Sequence, residues 1–397
     1  MFGPALAEGK NPRSDLRWSA VAAAAVMAIG MGFGRFAFTC VYPVMVQEGV
    51  VNLHEGTLAA SANYAGYLLG ALLAARLSSD RSRSWVMLSV IASIACLIAL
   101  ACTKTPWIII SIRGAAGVFS ALSMIAASQW LLQHKGHHEG APLLFSGVGV
   151  GIFLSAEILA VAQFARLSSF NLWLALGVSS AILGVLALSK LDKRSAHLKD
   201  HSKTSGPRHL SPLGAWPLIA AYGLAGFGYI ITATYLPMLV KTAFGDINPV
   251  NVWAIFGLGA APSCYFWHQL HLRFGTHFAL RANLLLQAIG VVLPALLPTA
   301  VGYVASALIV GGTFMGTVTI AMPAAKRVSH TVRQNLIAVM TAAYGIGQIV
   351  GPLLASYLFA ASGSFNTSLI AATCGLLLAA LATVRLPQSS HKNRQVL

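Results

Sequence analysis

The sequence predicts an all-α membrane protein, with twelve transmembrane helices in two pseudo-symmetric six-helix bundles. Three observations carry this expectation: a composition too apolar for a water-soluble domain, a succession of long apolar runs, and an internal repeat at about half the chain length. Of the 397 residues, 57% are hydrophobic and only 9% are charged, whereas a soluble domain carries about 25% charged residues. Mean hydropathy is +0.73. Backbone groups in lipid need internal partners. The runs are too long and too uniformly apolar for barrel strands, so they read as helices.

The candidate spans are 17–42, 56–76, 84–102, 107–132, 141–163, 170–189, 214–240, 249–268, 277–297, 299–323, 334–360 and 365–385. The ninth and tenth are separated only by Pro298 and Thr299, and the eighth ends near His268 and His271. With a cytoplasmic N-terminus, Lys104, Arg166 and Lys241 face out, and Arg35 and Arg113 lie inside spans. All the other Lys and Arg of the 26 face the cytoplasm. That bias predicts an even number of spans, both termini cytoplasmic and a bacterial inner membrane. It also assigns the net charge of +16 to topology rather than to nucleic-acid binding.

Residues 1–17 are polar, with Pro4 and Pro12, and the run that follows is long enough to span, so no cleavable signal is expected. Cys40, Cys96, Cys102, Cys264 and Cys374 are scattered through apolar segments without CxxC spacing. They read as packing residues, with no disulfide framework, metal site or cofactor. The polar, basic stretch 189–213 follows the sixth span. It divides an N-terminal bundle, 1–188, from a C-terminal one, 214–397, as a flexible cytoplasmic linker.

The halves repeat. GFGRFAFTCVYPVMV (32–46) aligns with GFGYIITATYLPMLV (226–240) at an offset of 194, which also places Gly117 on Gly311. An offset of 196 places Gly149 and Gly151 on Gly345 and Gly347. Three concordant matches point to a duplicated six-helix unit.

Six plus six parallel repeats joined by a basic linker resemble the major facilitator superfamily. Arg113-Gly-Ala-Ala-Gly117 resembles its arginine–glycine motif in span four. Tyr344-Gly-Ile-Gly-Gln-Ile-Val-Gly-Pro352 resembles its glycine–proline motif, here in span eleven. The span-five counterpart GVGVGIFLSAE has Ala156 where Pro352 stands. The loop ARLSSDRSR keeps only Asp80, Arg81 and Arg83 of the family's loop motif. GFGRFAFTCVYP looks like the signature of the YbfB/YjiJ-type branch. The resemblance implies a monomeric transporter whose spans one and four line a central cavity, with span five beside them. It also implies gating or helix-packing roles for Asp80, Arg81, Gly117, Gly149, Gly151, Gly345, Gly347, Gly351 and Pro352.

Charges inside the spans are the candidate functional groups, because a charge at bilayer depth costs several kcal/mol and usually faces a cavity or a partner. Arg35 lies about 25 Å along the helix from Trp18, Arg113 about 9 Å below the outer end of its span, and Glu157 about 24 Å from the inner end. These depths agree, and Glu157 is the one acidic residue placed within a span. The repeat mate of Arg35 is Tyr229, and that of Arg113 is Ala307.

The set Arg35, Arg113 and Glu157 leaves a net positive charge. The expected cargo is therefore a small organic anion, bound by Arg35, Arg113, Tyr229, Asn63, Tyr64, Gln129 and Gln348. Proton coupling is expected through Glu157 and Arg113. The bland readings are an Arg113–Glu157 brace between spans four and five, Arg35 bonded to helix carbonyls near Pro43, and tyrosine, Asn and Gln side chains that merely pack or bridge helices. The His-rich stretch 134–139 reads as a wet loop, and His268, His271 and His277 as solvated. No nucleotide-binding or catalytic pattern is present, so an enzyme is not expected. Efflux of a lipophilic or cationic compound, and a non-transporting sensor, are the alternatives.

Overall fold

The structure, a computed structural model, describes residues 12–74, 81–191, 213–243, 248–328 and 336–384. Asp80 and most of the linker lie outside them. Every regular element among the described residues is helical. In chain order, α1 spans Pro12–Met27 and runs through a π-helical segment, Ala28–Phe36, into α2, Phe38–Gln47. Next come α3 (Leu53–Ala74), α4 (Ser82–Ala101), α5 (Pro106–Ser128, extended by a π turn, Gln129–His134), α6 (Ala141–Phe164) and α7 (Ser169–Ser189). The second half holds α8 (Ala215–Ala243), α9 (Pro249–Leu296), α10 (Ala300–Val328), α11 (Leu336–Ser362) and α12 (Asn366–Ala382).

Among the described residues, nine helical stretches are long and apolar enough to cross a membrane, and α12 is a shorter apolar helix. Besides the shortness of α12, two local causes separate this number from the expected twelve. The 22-residue α3 is diluted by Ser61, Asn63, Tyr64, Tyr67 and three glycines. The 48-residue α9 covers the expected eighth and ninth spans together. At 1.5 Å per residue it would be about 72 Å long, more than twice the hydrocarbon core. It is broken at Gly275, whose φ of 80° favours glycine. Trp267 and Asn283 stand eight residues either side of that glycine. They donate to the adjacent carbonyls of Gly312 and Thr313, at 2.7 and 2.9 Å. The chain therefore doubles back at Gly275.

Small residues set how closely the helices approach. Gly117 of α5 sits against the Asn63 carbonyl of α3, and Gly311 of α10 against the Phe256 carbonyl of α9. These are corresponding contacts of the two repeats. Contacts between the halves are carried chiefly by α6 on α9 and by α3 on α11. In the first, a Cβ on Gly149 would stand 2.6 Å from Ala261 Cα, and one on Gly257 2.5 Å from Phe153 N. In the second, Gly345 packs on the Leu68 side chain.

Candidate functional site

The site begins with a break in helix regularity. Three glycines at a spacing of two, Gly30, Gly32 and Gly34, lie in the π-helical segment. They weaken helix propensity and open space for close neighbours. A Cβ on Gly30 would stand 2.5 Å from Ser123 Cβ of α5, and one on Gly32 2.5 Å from Gly151 Cα of α6. Each π turn shifts the hydrogen-bond ladder to a partner five residues back. Accordingly, Ala37 N–H donates to Gly32 O, while Cys40 and Val41 N–H both donate to Ala37 O. The ladder is left with the N–H groups of Phe38 and Thr39 for the carbonyls of residues 33–36, fewer donors than acceptors.

Arg113 fills that deficit. Its Nη1 donates to Gly34 O at 2.8 Å and its Nη2 to Arg35 O at 3.0 Å. Its guanidinium lies 4.4 Å from the Phe38 ring centroid. Its own carbonyl accepts from Asn63 Nδ2 at 2.9 Å. Carbonyl bonding in this helix therefore falls to Arg113, not to Arg35.

Arg35 is 2% exposed. Nη2 donates to Gln348 Oε1 at 2.8 Å, and Gln348 Nε2 donates to the Tyr229 hydroxyl at 2.5 Å. The guanidinium lies 4.0 Å from the Tyr67 ring centroid and 5.1 Å from that of Tyr64. Nε and Nη1 have no hydrogen-bond partner among the described residues.

The guanidinium ends a cavity of about 360 Å³. Its walls are chiefly aromatic and sulfur-bearing: Tyr67, Tyr222, Tyr229, Phe314 and Tyr344, with Met31, Met124, Met315 and Met322. It runs from Arg35 toward Leu72, Met322 and Ile337, near the ends of α3 and α10 and the start of α11. That is the face on which α1 begins. On the other side of Arg35, three consecutive residues of α8 bond to the first half. Thr39 Oγ1 donates to Ala233 O at 3.1 Å. The Tyr64 hydroxyl meets Thr234 Oγ1 at 3.0 Å. The Tyr235 hydroxyl meets Thr57 Oγ1 at 2.8 Å and donates to Pro352 O at 3.1 Å. The cavity is thus sealed toward the far face by neutral hydrogen bonds.

Of the expected binding residues, Arg35, Tyr229 and Gln348 line this cavity. Tyr64 lies in the seal, and Arg113 and Asn63 brace the π segment. Gln129 opens the π turn after α5 and is half-buried away from the cavity. Glu157 is exposed on the surface of α6. The donors of Arg113 and Arg35 go instead to backbone carbonyls and to Gln348, so the expected pairing with Glu157 is not formed. Gly151 packs on Ala28 and Gly347 on Phe227, while Gly351 meets Ile230. Arg81 is exposed at the start of α4. Nothing in the sequence marks Tyr67, Tyr222, Phe314 and Tyr344 as site residues, because as single aromatic residues they resemble ordinary core.

A family model described as "Uncharacterised MFS-type transporter YbfB" matches residues 27–384. The chain belongs to this family. Membership makes it a multi-pass membrane protein of a transporter family, acting on a small-molecule substrate within a lipid bilayer. A search of curated proteins finds no match. For an MFS-type transporter, a central cavity closed toward one face is an arrangement with immediate functional meaning.

Proposed function

We propose that the protein is a secondary transporter that carries a small organic anion across the membrane by alternating access. The moving parts are two six-helix halves, residues 1–188 and 214–397, joined by the 189–213 linker. Twelve crossings follow when the two arms of α9 count separately and α3 and α12 are added to the nine long apolar stretches. The α6–α9 and α3–α11 contacts exchange under the sequence repeat, as rocking about a shared axis requires. The Lys and Arg bias supports cytoplasmic termini in a bacterial inner membrane.

One observation carries the anion: among the described residues, the Arg35 guanidinium lines the cavity with Nε and Nη1 lacking a hydrogen-bond partner, and no Asp or Glu lines the walls. A buried cation without a counter-charge is costly, and an anionic ligand relieves that cost. The cation-efflux alternative relies on Glu157 as acceptor, and Glu157 is exposed outside the cavity. Proton coupling through Glu157 finds no support in this geometry.

The test is flux in sealed vesicles containing the purified protein. Exchange of labelled organic anion, lost in Arg35→Gln, supports the proposal. Binding without exchange makes the protein a sensor, and exchange of organic cations alone overturns the anion reading.

A further inference from the structure

We infer that the ligand is a monocarboxylate with a flat, aromatic or conjugated body, an inference that rests on the anion-transport reading above. Charge sets the first limit. Among the described residues, Arg35 is the only Lys, Arg, Asp or Glu in the cavity lining. One carboxylate neutralises it. A second carboxylate would be buried without a cationic partner.

The guanidinium also sets a geometry. An arginine presents five N–H groups in a rigid planar fork. Gln348 Oε1 takes one proton of Nη2. Whichever Nη2 proton that is, one two-proton edge, either Nε with Nη2 or Nη1 with Nη2, keeps both protons without a protein partner among the described residues, and since Nε and Nη1 are buried a ligand reaches that edge as neighbouring side chains move aside. A carboxylate matches such an edge bidentately.

The walls set the shape of the body. Tyr222 stacks on Tyr344 with centroids 4.5 Å apart and planes 28° apart. Tyr344 faces Tyr229 at 5.9 Å and 23°, and Tyr229 faces Phe314 at 5.3 Å and 18°. Four near-parallel rings thus form a continuous ladder along one side of the cavity, close to the charge. Such a wall presents ring edges along its side and a ring face only at an end, so a flat π-system meets it edge-to-face, or stacks on a terminal ring, better than a puckered aliphatic ring. The volume of about 360 Å³ lies at the small end of ligand pockets, roughly 300–1,000 Å³. Apart from Arg35, the polar side chains of the lining are Gln348, Thr341 and tyrosine hydroxyls, too sparse to satisfy a sugar.

The experiment is calorimetric titration of the full-length protein in detergent with four matched probes. Benzoate carries ring and charge; cyclohexanecarboxylate carries the charge without the flat ring. Benzyl alcohol carries the ring without the charge, and terephthalate adds a second charge. The expected result is tightest binding of benzoate, with cyclohexanecarboxylate weaker by about two- to tenfold and the other two by about tenfold or more. Tyr344→Leu should remove the preference of benzoate over cyclohexanecarboxylate while leaving both bound, and Arg35→Lys should keep benzoate binding better than Arg35→Gln. Equal binding of benzoate and cyclohexanecarboxylate overturns the flat-body inference and leaves the anion reading standing. Terephthalate binding as tightly as benzoate overturns the single-charge limit. Benzyl alcohol binding as tightly as benzoate overturns the anion reading itself.

Discussion

Arg35 and Tyr229 occupy equivalent positions in the two sequence repeats and meet through one side chain, Gln348. Its carbonyl oxygen accepts from Arg35 at 2.8 Å and its amide donates to the Tyr229 hydroxyl at 2.5 Å. Duplicated helices have diverged here into a charged and a neutral partner. Gln348 spans them because its amide offers an acceptor and a donor at once. Replacing Gln348 with Leu removes the acceptor of Arg35 and one of the partners of the Tyr229 hydroxyl. We expect the affinity for an organic anion to change by roughly 10-fold or more, since a hydrogen bond to a charged group is worth about 1.5–3 kcal/mol. Titration of Gln348→Leu against wild type measures it. Unchanged affinity would mean that the bridge does not orient Arg35 for its ligand.

Arg113 should behave differently from Arg35. Arg113→Met strands the carbonyls of Gly34 and Arg35, each at about 1–3 kcal/mol. A drop in stability of roughly 2–6 kcal/mol is expected, with ligand affinity of the folded fraction little altered. Thermal unfolding with and without ligand separates the two effects. A variant of normal stability that no longer binds would place Arg113 in the binding site.

The far-face seal consists of neutral hydrogen bonds, so its strength should be insensitive to salt. Tyr235→Phe removes the contact to Thr57 across the halves, about 1 kcal/mol, together with a bond to Pro352 within the second half. The equilibrium should move toward an opening on the far face. Spin labels replacing His54 and Ala361, in a cysteine-free background, report it as a longer distance population. No change in that distance distribution would assign the closure to aromatic packing around Phe36 and Phe314 instead.

Gly149 has no room for a side chain against α9. Gly149→Val should either destabilise the fold by about 1–3 kcal/mol or hold the halves apart and abolish exchange. A stable variant with normal flux would show that α6 and α9 do not need this close approach.

Glu157→Gln tests the coupling expectation. Because Glu157 is exposed and bonded to neither arginine, pH-driven accumulation should be unchanged in that variant. Loss of the pH response, with exchange retained, would restore Glu157 as a proton site.

Much of this molecule is legible in its sequence, for identifiable reasons. Arg35 and Gln348 stand out because a strongly polar side chain in an apolar run has a cost that must be met. Tyr229 stands out only through the repeat. The aromatic ladder is hidden, since Tyr222, Phe314 and Tyr344 lie on different helices and singly look like core. Arg113 is placed at the right depth, but depth does not tell a cavity from a starved backbone. The clue was the glycine spacing at residues 30, 32 and 34, which weakens the very helix Arg113 supports. Glu157 also lies at the right depth and on the wrong face. Rise per residue gives height, whereas the side of a helix must come from its polar pattern, and α6 is apolar around most of its circumference. The fold-back at Gly275 is announced only by His268, His271 and Arg273, a brief polar interruption that one helix nearly bridges.

A lone cation at the end of a cavity has an electrical consequence. With a monoanion bound, the site is neutral, and the loaded reorientation carries no net charge through the membrane field. The empty return carries the unpaired arginine, so voltage acts on that step, with up to about 2.3 kcal/mol per 100 mV if the whole field is crossed. An inside-negative potential would then oppose net accumulation of the anion and favour its release. One-for-one exchange, which never uses the empty return, would be indifferent to voltage.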